Sequence, residues 1–166
     1  GFVEFRNVSA KYKSAAEASL ENISFSAQPG ETIGIIGGTG SGKTTLVNLI
    51  PRLYDVFGGE VLIDGVNAAD FDMVSLRRRI GIVPQKSVLF KGTIRSNLLW
   101  GNQNATDAQL WDALETAQAR EVVKGKDGEL GAEVSQGGTN FSGGQRQRLA
   151  IARALVRKPA ILILDD

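Results

Sequence analysis

The sequence predicts a mixed α/β fold from three features. An apolar strand pattern runs into a cluster of glycines and then a helical pattern over residues 31–53, alternating segments lie near the N-terminus, and a second apolar run follows a helix at residues 160–164. Taken in order, Val3-Glu4-Phe5-Arg6 alternates like a half-buried strand. Ile23-Ser24-Phe25-Ser26-Ala27 alternates again before the breaker Pro29-Gly30, which predicts an antiparallel edge sheet. Glu31 to Ile36 reads as a buried strand, followed by the bare stretch Gly37 to Gly42 and a helix from Thr44 to Leu53 with apolar residues at Leu46, Leu49, Ile50 and Leu53. Val61-Leu62-Ile63 is a short strand between Gly58-Gly59 and Asp64-Gly65, and Ile80-Gly81-Ile82-Val83 is another, stopped by Pro84.

From Lys86 to about Asn140 the pattern turns helical, which predicts a helical insertion. One of its helices opens with the capping box Thr106-Asp107-Ala108-Gln109 and continues through Leu110, Leu114 and Ala117. A last helix runs from about Ser142 to Lys158, where Pro159 ends it. Ala160-Ile161-Leu162-Ile163-Leu164 then reads as a fully buried parallel strand that delivers Asp165 and Asp166. The C-terminal part of the domain is expected to lie beyond Asp166.

Composition narrows the chemistry. With 166 residues, 42% hydrophobic and 22% charged, the chain fits one globular domain or most of one. Nineteen basic residues balance eighteen acidic ones, so the net charge of +1 argues for neither nucleic acid nor an anionic membrane surface. The absence of cysteine removes disulfides, thiolate metal sites and thiol nucleophiles, and the absence of histidine removes a Ser-His-Asp triad and histidine-based zinc catalysis. Carboxylates, Lys, Arg, hydroxyls, backbone amides and a metal are left to do the chemistry. Twenty glycines stand where roughly twelve would be ordinary at ~7%. No apolar run approaches the ~20 residues of a membrane-spanning helix, and Gly1-Phe2-Val3-Glu4-Phe5 lacks the pattern of a signal peptide, as expected of an excised domain.

Gly37-Gly38-Thr39-Gly40-Ser41-Gly42-Lys43-Thr44 fits the P-loop pattern, placed between a strand and a helix as that motif requires. Without Cβ atoms such a loop folds around an anion with its N–H groups inward, and the following helix adds the positive end of its dipole. Lys43 would reach the β- and γ-phosphates, Thr44 would supply a hydroxyl to Mg²⁺, and Thr45 completes the nucleotide-binding stretch. Asp165 and Asp166 follow five apolar residues, where α/β sheets place ligands, and two adjacent carboxylates there call for a cation such as Mg²⁺. Ser142-Gly143-Gly144-Gln145 opens the last helix either as a plain cap or as a second anion site. Arg146, Arg148, Arg153, Arg157 and Lys158 read as its solvated face.

Together, the P-loop, Val83-Pro84-Gln85, Phe141-Ser142-Gly143-Gly144-Gln145 and Ile161 to Asp165, in this order, resemble the nucleotide-binding domain of ATP-binding cassette (ABC) transporters. Val88-Leu89-Phe90-Lys91-Gly92-Thr93-Ile94-Arg95-Ser96-Asn97-Leu98 resembles the exporter branch in the stretch that faces the transmembrane coupling helices. The resemblance implies a P-loop NTPase core with a mixed parallel sheet. Residues 1–85 and 141–166 would form the ATP-binding core and 86–140 a helical subdomain. It implies ATP and Mg²⁺ as ligands, a second nucleotide-binding domain and a transmembrane domain as partners, and a place on the cytoplasmic face of a membrane. Tyr12 matches the aromatic that stacks on adenine, although read alone it is a strand-end surface aromatic. Gln85 matches the glutamine that touches Mg²⁺ or the attacking water. Asp165 matches the metal-binding carboxylate, and Ser142 to Gln145 match the signature that contacts ATP held by the opposite domain.

Three departures from the family pattern stand out. Asp166 occupies the position of the catalytic Glu, one methylene shorter, which implies slow hydrolysis at this P-loop, as in the impaired half of a heterodimeric exporter. The exporter pattern places Glu at Gln136 and Arg at Gly137, and the switch His would lie beyond Asp166. Two alternatives remain beside an exporter ATPase: a regulatory half that binds ATP and barely turns it over, and a soluble ABC-type ATPase of DNA repair or translation.

Overall fold

A computed structural model of the chain describes residues 1–11 and 19–165. They fall into two compact units, Gly1–Ile80 and Gly81–Asp166. Tyr12 and Asp166 lie outside the described residues.

The first unit is built on an antiparallel sheet of β1 (Val3–Ala10), β2 (Leu20–Ala27), β3 (Gly58–Ile63) and β4 (Val66–Asn67), in the order β2-β1-β3-β4. Val3 pairs with Ala27 on one side and with Ile63 on the other, so the predicted edge sheet is present and longer than its alternation implied. Alternation in β1 sends Val3 and Phe5 into the core, with Phe5 stacked on Phe25 at 4.6 Å, and the register shift between Phe5 and Val8, where Asn7 is left-handed at φ 47, buries Val8 too, while Glu4 and Arg6 pair with each other. The Asp64-Gly65 turn has both residues left-handed, at φ 51 and 82, as a two-residue hairpin between twisted strands demands. The helix α1 (Lys43–Leu49) buries Leu46 and Leu49. It stops short of the predicted Leu53 because Pro51 has no N–H to continue it. A helix α2 (Met73–Arg78) closes the unit, capped by the Asp72 carboxylate, which accepts from the Ser75 N–H at 2.9 Å.

One expectation fails here. Glu31 to Ile36 form no strand, and Ile33, Ile35 and Ile36 are exposed, Ile36 by 98%. A buried strand needs a ladder partner along its edge and packing over both faces, and among the described residues of its own unit this segment has no ladder partner.

The second unit carries β5 (Ile80–Val83) beside β8 (Ile161–Leu164), and a short ladder of β6 (Gly92–Thr93) with β7 (Glu133–Val134). Four helices accompany them: α3 (Ile94–Leu99), α4 (Asp107–Thr116), α5 (Arg120–Lys124) and α6 (Gly143–Val156). The core gathers Leu98, Leu110, Leu114, Val123, Phe141 and Leu149 among others. Both bonds of the predicted capping box at Thr106 form, at 3.4 and 2.9 Å. Buried Asn97 ties the chain around it, exchanging hydrogen bonds of 2.8 Å with the backbone N–H and carbonyl of Phe90. Gly101 admits no side chain, because a Cβ would collide with the Arg153 carbonyl oxygen.

Two further expectations are corrected. The strand β8 is half exposed rather than fully buried, with Leu162 and Leu164 open at 41% and 59%. The arginines of α6 are not a merely solvated face. Arg146 donates to the Phe141 carbonyl at 2.7 Å, Arg148 to Gln118 at 3.1 Å, Arg153 to Val88 at 3.1 Å and Arg157 to Gly101 at 3.2 Å. Each long stem reaches a loop carbonyl that lacks a helical or sheet donor, so the helix is tied to the loops around it.

Candidate nucleotide-binding site

In the first unit, Gly37 to Gly42 run as an open turn into α1. Gly42 caps the helix in the left-handed region at φ 88, which frees the chain to turn the first N–H groups of α1 outward. That glycine is also fixed by contact, since a Cβ on it would stand 2.9 Å from both Leu20 Cδ2 and the Ser19 carbonyl oxygen. Gly38 is different: nothing lies within 4 Å of where its Cβ would be. The chain itself has no need of a bare residue there, so the bareness suits something that approaches from outside. Lys43 folds over the loop, its Nζ donating to the carbonyls of Gly37 at 2.7 Å and Gly38 at 2.9 Å. The ammonium thus rests on the loop carbonyls, the Ser41 N–H closes the turn onto the Gly38 carbonyl at 3.2 Å, and beside them lies a cavity of about 420 Å³ lined by Ser19, Gly40, Ser41, Gly42, Lys43, Thr44 and Thr45. Ser19 is the lining residue that motif reading missed, because it comes from the start of β2 rather than from the glycine loop.

In the second unit, β5 and β8 end side by side: the Asp165 N–H donates to the Val83 carbonyl at 3.0 Å, and Gln85 stands exposed just past Pro84. The structure therefore brings Gln85 and Asp165 to one edge of this strand pair. In the same unit, Ser142 caps α6 reciprocally. Its hydroxyl accepts from the Gln145 N–H at 3.3 Å and the Gln145 side chain accepts from the Ser142 N–H at 3.0 Å. Gly143 and Gly144 are exposed, and a Cβ on Gly144 would meet nothing within 4 Å. The cap and the anion-site readings of this stretch are compatible, since Ser142 uses its side chain on the helix and leaves the glycine amides open.

The oxygen donors suit magnesium, a hard cation: a hydroxyl at Thr44, an amide oxygen at Gln85 and a carboxylate at Asp165. Among the described residues there is no group of three or more His, Cys, Asp or Glu that could hold a metal. One exposed feature was not legible beforehand. Phe90 and Trp100 stack at 4.9 Å on the surface, Trp100 open by 64%, with the Arg153 guanidinium 5.6 Å from the Phe90 ring. Burial lowers the Arg153 pKa below its usual value. The tryptophan falls two residues beyond the stretch that the family pattern marks, and a lone aromatic at a helix end reads as core.

Comparison with known proteins agrees with these motifs. The ABC transporter family model matches residues 20–166. The chain is 49% identical over 166 residues to the uncharacterized ABC transporter ATP-binding protein YfiB of Bacillus subtilis strain 168, covering 100% of this chain and 29% of that protein. It is 42% identical to the ATP-dependent lipid A-core flippase of Syntrophus aciditrophicus strain SB, over 99% of this chain and 27% of the flippase. A solved bacterial Atm1-family ABC exporter with ATP bound superposes on 98% of the chain and 28% of its own, with a TM-score of 0.92 and 38% identity. The chain thus spans less than a third of the length of these relatives. Among the described residues no helix is long and apolar enough to cross a membrane. With its motifs in family order and its fold matched, the chain belongs to the ABC transporter family, as an ATP-binding domain of the exporter type.

Proposed function

We propose that this chain binds ATP with Mg²⁺ and hydrolyses it to power export by the longer membrane protein of which it is part, from the cytoplasmic face. The observation that carries this reading is the loop at Gly37 to Thr44, where the Lys43 ammonium borders a cavity at the start of α1 and nothing lies within 4 Å of where a Cβ on Gly38 would be. Lys43 and the amides of Gly38, Thr39, Gly40, Ser41 and Gly42 hold the phosphates, which exchange for the loop carbonyls that Lys43 now meets. Thr44, Gln85 and Asp165 are the oxygen donors for the metal, which when bound neutralises charge on the β- and γ-phosphates. Tyr12 stacks on the adenine. Ser142, Gly143, Gly144 and Gln145 face the nucleotide of a second nucleotide-binding domain. Gln85 orients the water that attacks the γ-phosphorus as the bond to the β,γ-bridging oxygen breaks and ADP leaves, and the proton the water loses passes toward Asp166. The relatives are transporters, which speaks against a soluble ATPase of repair or translation. The exposed Phe90–Trp100 stack is the surface on which the transmembrane domain docks.

A second reading, a regulatory half with little turnover of its own, is favoured by Asp166 alone. Its carboxylate is one methylene short of the family's glutamate, and displacement by about 1 Å can cost ~10²-fold in rate. ATP turnover of the full-length protein with its partner domain decides between them. Asp166→Glu is expected to raise turnover at this site, by up to ~10²-fold. An unchanged rate would remove Asp166 as the limiting residue.

A further inference from the structure

The segment ahead of Ser142 lacks the charged Glu-Arg pair of the exporter pattern, and the structure shows what ties it instead. Gly137 and Gly138 both take left-handed backbone, at φ 69 and 68, a conformation that an arginine at 137 would adopt only under strain. The loop between them and β7 is closed by Asn140. Its Oδ1 accepts from the Ser135 N–H at 3.1 Å and from the Ser135 hydroxyl at 2.9 Å. Its Nδ2 donates to the Glu133 carbonyl at 2.8 Å, and its backbone N–H donates to Ser135 Oγ at 3.2 Å. A carboxamide is needed for this, because it alone accepts and donates from one short side chain in the same plane. The next residues are held as well. Lys126 Nζ donates to the Asn140 carbonyl at 3.4 Å and stands 4.7 Å over the ring of buried Phe141, whose carbonyl accepts from Arg146. Ser142 follows at once.

We propose that Asn140 is a positioning residue for hydrolysis. By closing residues 133–140 on themselves, it sets the direction in which exposed Gly143 and Gly144 present their N–H groups, and Ser142 its hydroxyl proton, to a nucleotide held by the partner domain. This rests on the two-domain reading given above and extends it to a side chain that touches no nucleotide.

The test uses the full-length protein with its partner domain in lipid membranes. Asn140→Ala is expected to lower maximal ATP turnover by roughly 10- to 100-fold. ATP affinity at this chain's own P-loop, titrated with the partner's P-loop disabled, stays at the wild-type value. Ser135→Ala keeps the bonds from the Asn140 side chain to the Ser135 N–H and the Glu133 carbonyl, so its loss is smaller. If Asn140→Ala does not fold, Ser135→Ala carries the test with the same split between turnover and affinity. Wild-type turnover in both variants overturns the proposal, as does a fall in own-site affinity by the same factor as turnover, which marks a merely structural role. A Lys43→Ala control separates the two readings. If it leaves own-site affinity intact, the nucleotide reading fails and this one with it; if it abolishes binding while Asn140→Ala turns over normally, only the role of Asn140 falls.

Discussion

A glycine can be bare for the sake of its own chain or for the sake of a ligand, and the two kinds stand four residues apart in this loop. Gly42 is held by its φ of 88 and by Leu20 and Ser19 close at hand, whereas Gly38 meets nothing. Gly42→Ala is therefore expected to destabilise the domain by about 1 kcal/mol or more, since a left-handed backbone and a close contact both resist the methyl. Gly38→Ala and Gly144→Ala are expected to leave the unfolding midpoint nearly unchanged while weakening nucleotide binding or turnover. Thermal unfolding beside ATP titration checks the contrast, and equal losses of stability in all three would contradict it. The P-loop was legible in the sequence because its functional groups are consecutive. The arginine ties of α6 were not, because Arg148, Arg153 and Arg157 reach carbonyls 30, 65 and 56 residues away.

Elements whose signals are local matched the sequence well. The capping boxes at Thr106 and Ser142 both form, since each needs only residues three apart. The failure at Glu31 to Ile36 has the opposite cause: strand formation depends on partners from elsewhere in the chain, and apolar content cannot say whether they are there. Among the caps, Asp72 at the start of α2 makes a prediction about acid. Its hydrogen bond from the Ser75 N–H, aided by the Ser75 side chain, holds its pKa below the ordinary 3.8. A depressed carboxylate stabilises the fold fully above its unfolded pKa, and that contribution is lost as pH falls through the folded value. The protection of the α2 amides, taken as the intrinsic exchange rate at each pH divided by the observed one, is expected to fall on acidification between about pH 5 and about pH 2, and less so in Asp72→Asn. An identical pH dependence in the two proteins would contradict the assignment.

At the scale of the molecule, the exposed Phe90–Trp100 stack is a surface that a folded domain has no internal reason to keep. With Arg153 against the Phe90 ring, it joins a flat aromatic face to the end of α3 and to α6. Trp100→Ala is expected to leave ATP affinity at the P-loop unchanged while reducing transport per ATP hydrolysed in the full-length protein. Intact transport in that variant would remove the stack from the docking surface. The candidate site was legible as an ordered set of motifs, but the exposed aromatic pair was not, because its exposure is a property of the folded second unit. The nucleotide cradle is the claim on which the rest depends. Calorimetric titration of the full-length protein with ATP, with and without Mg²⁺, tests it most directly, using Lys43→Ala as the comparison. Saturable, magnesium-dependent binding that Lys43→Ala weakens by tenfold or more, about 1.4 kcal/mol, is the expected result; binding that ignores both the metal and the lysine would contradict it.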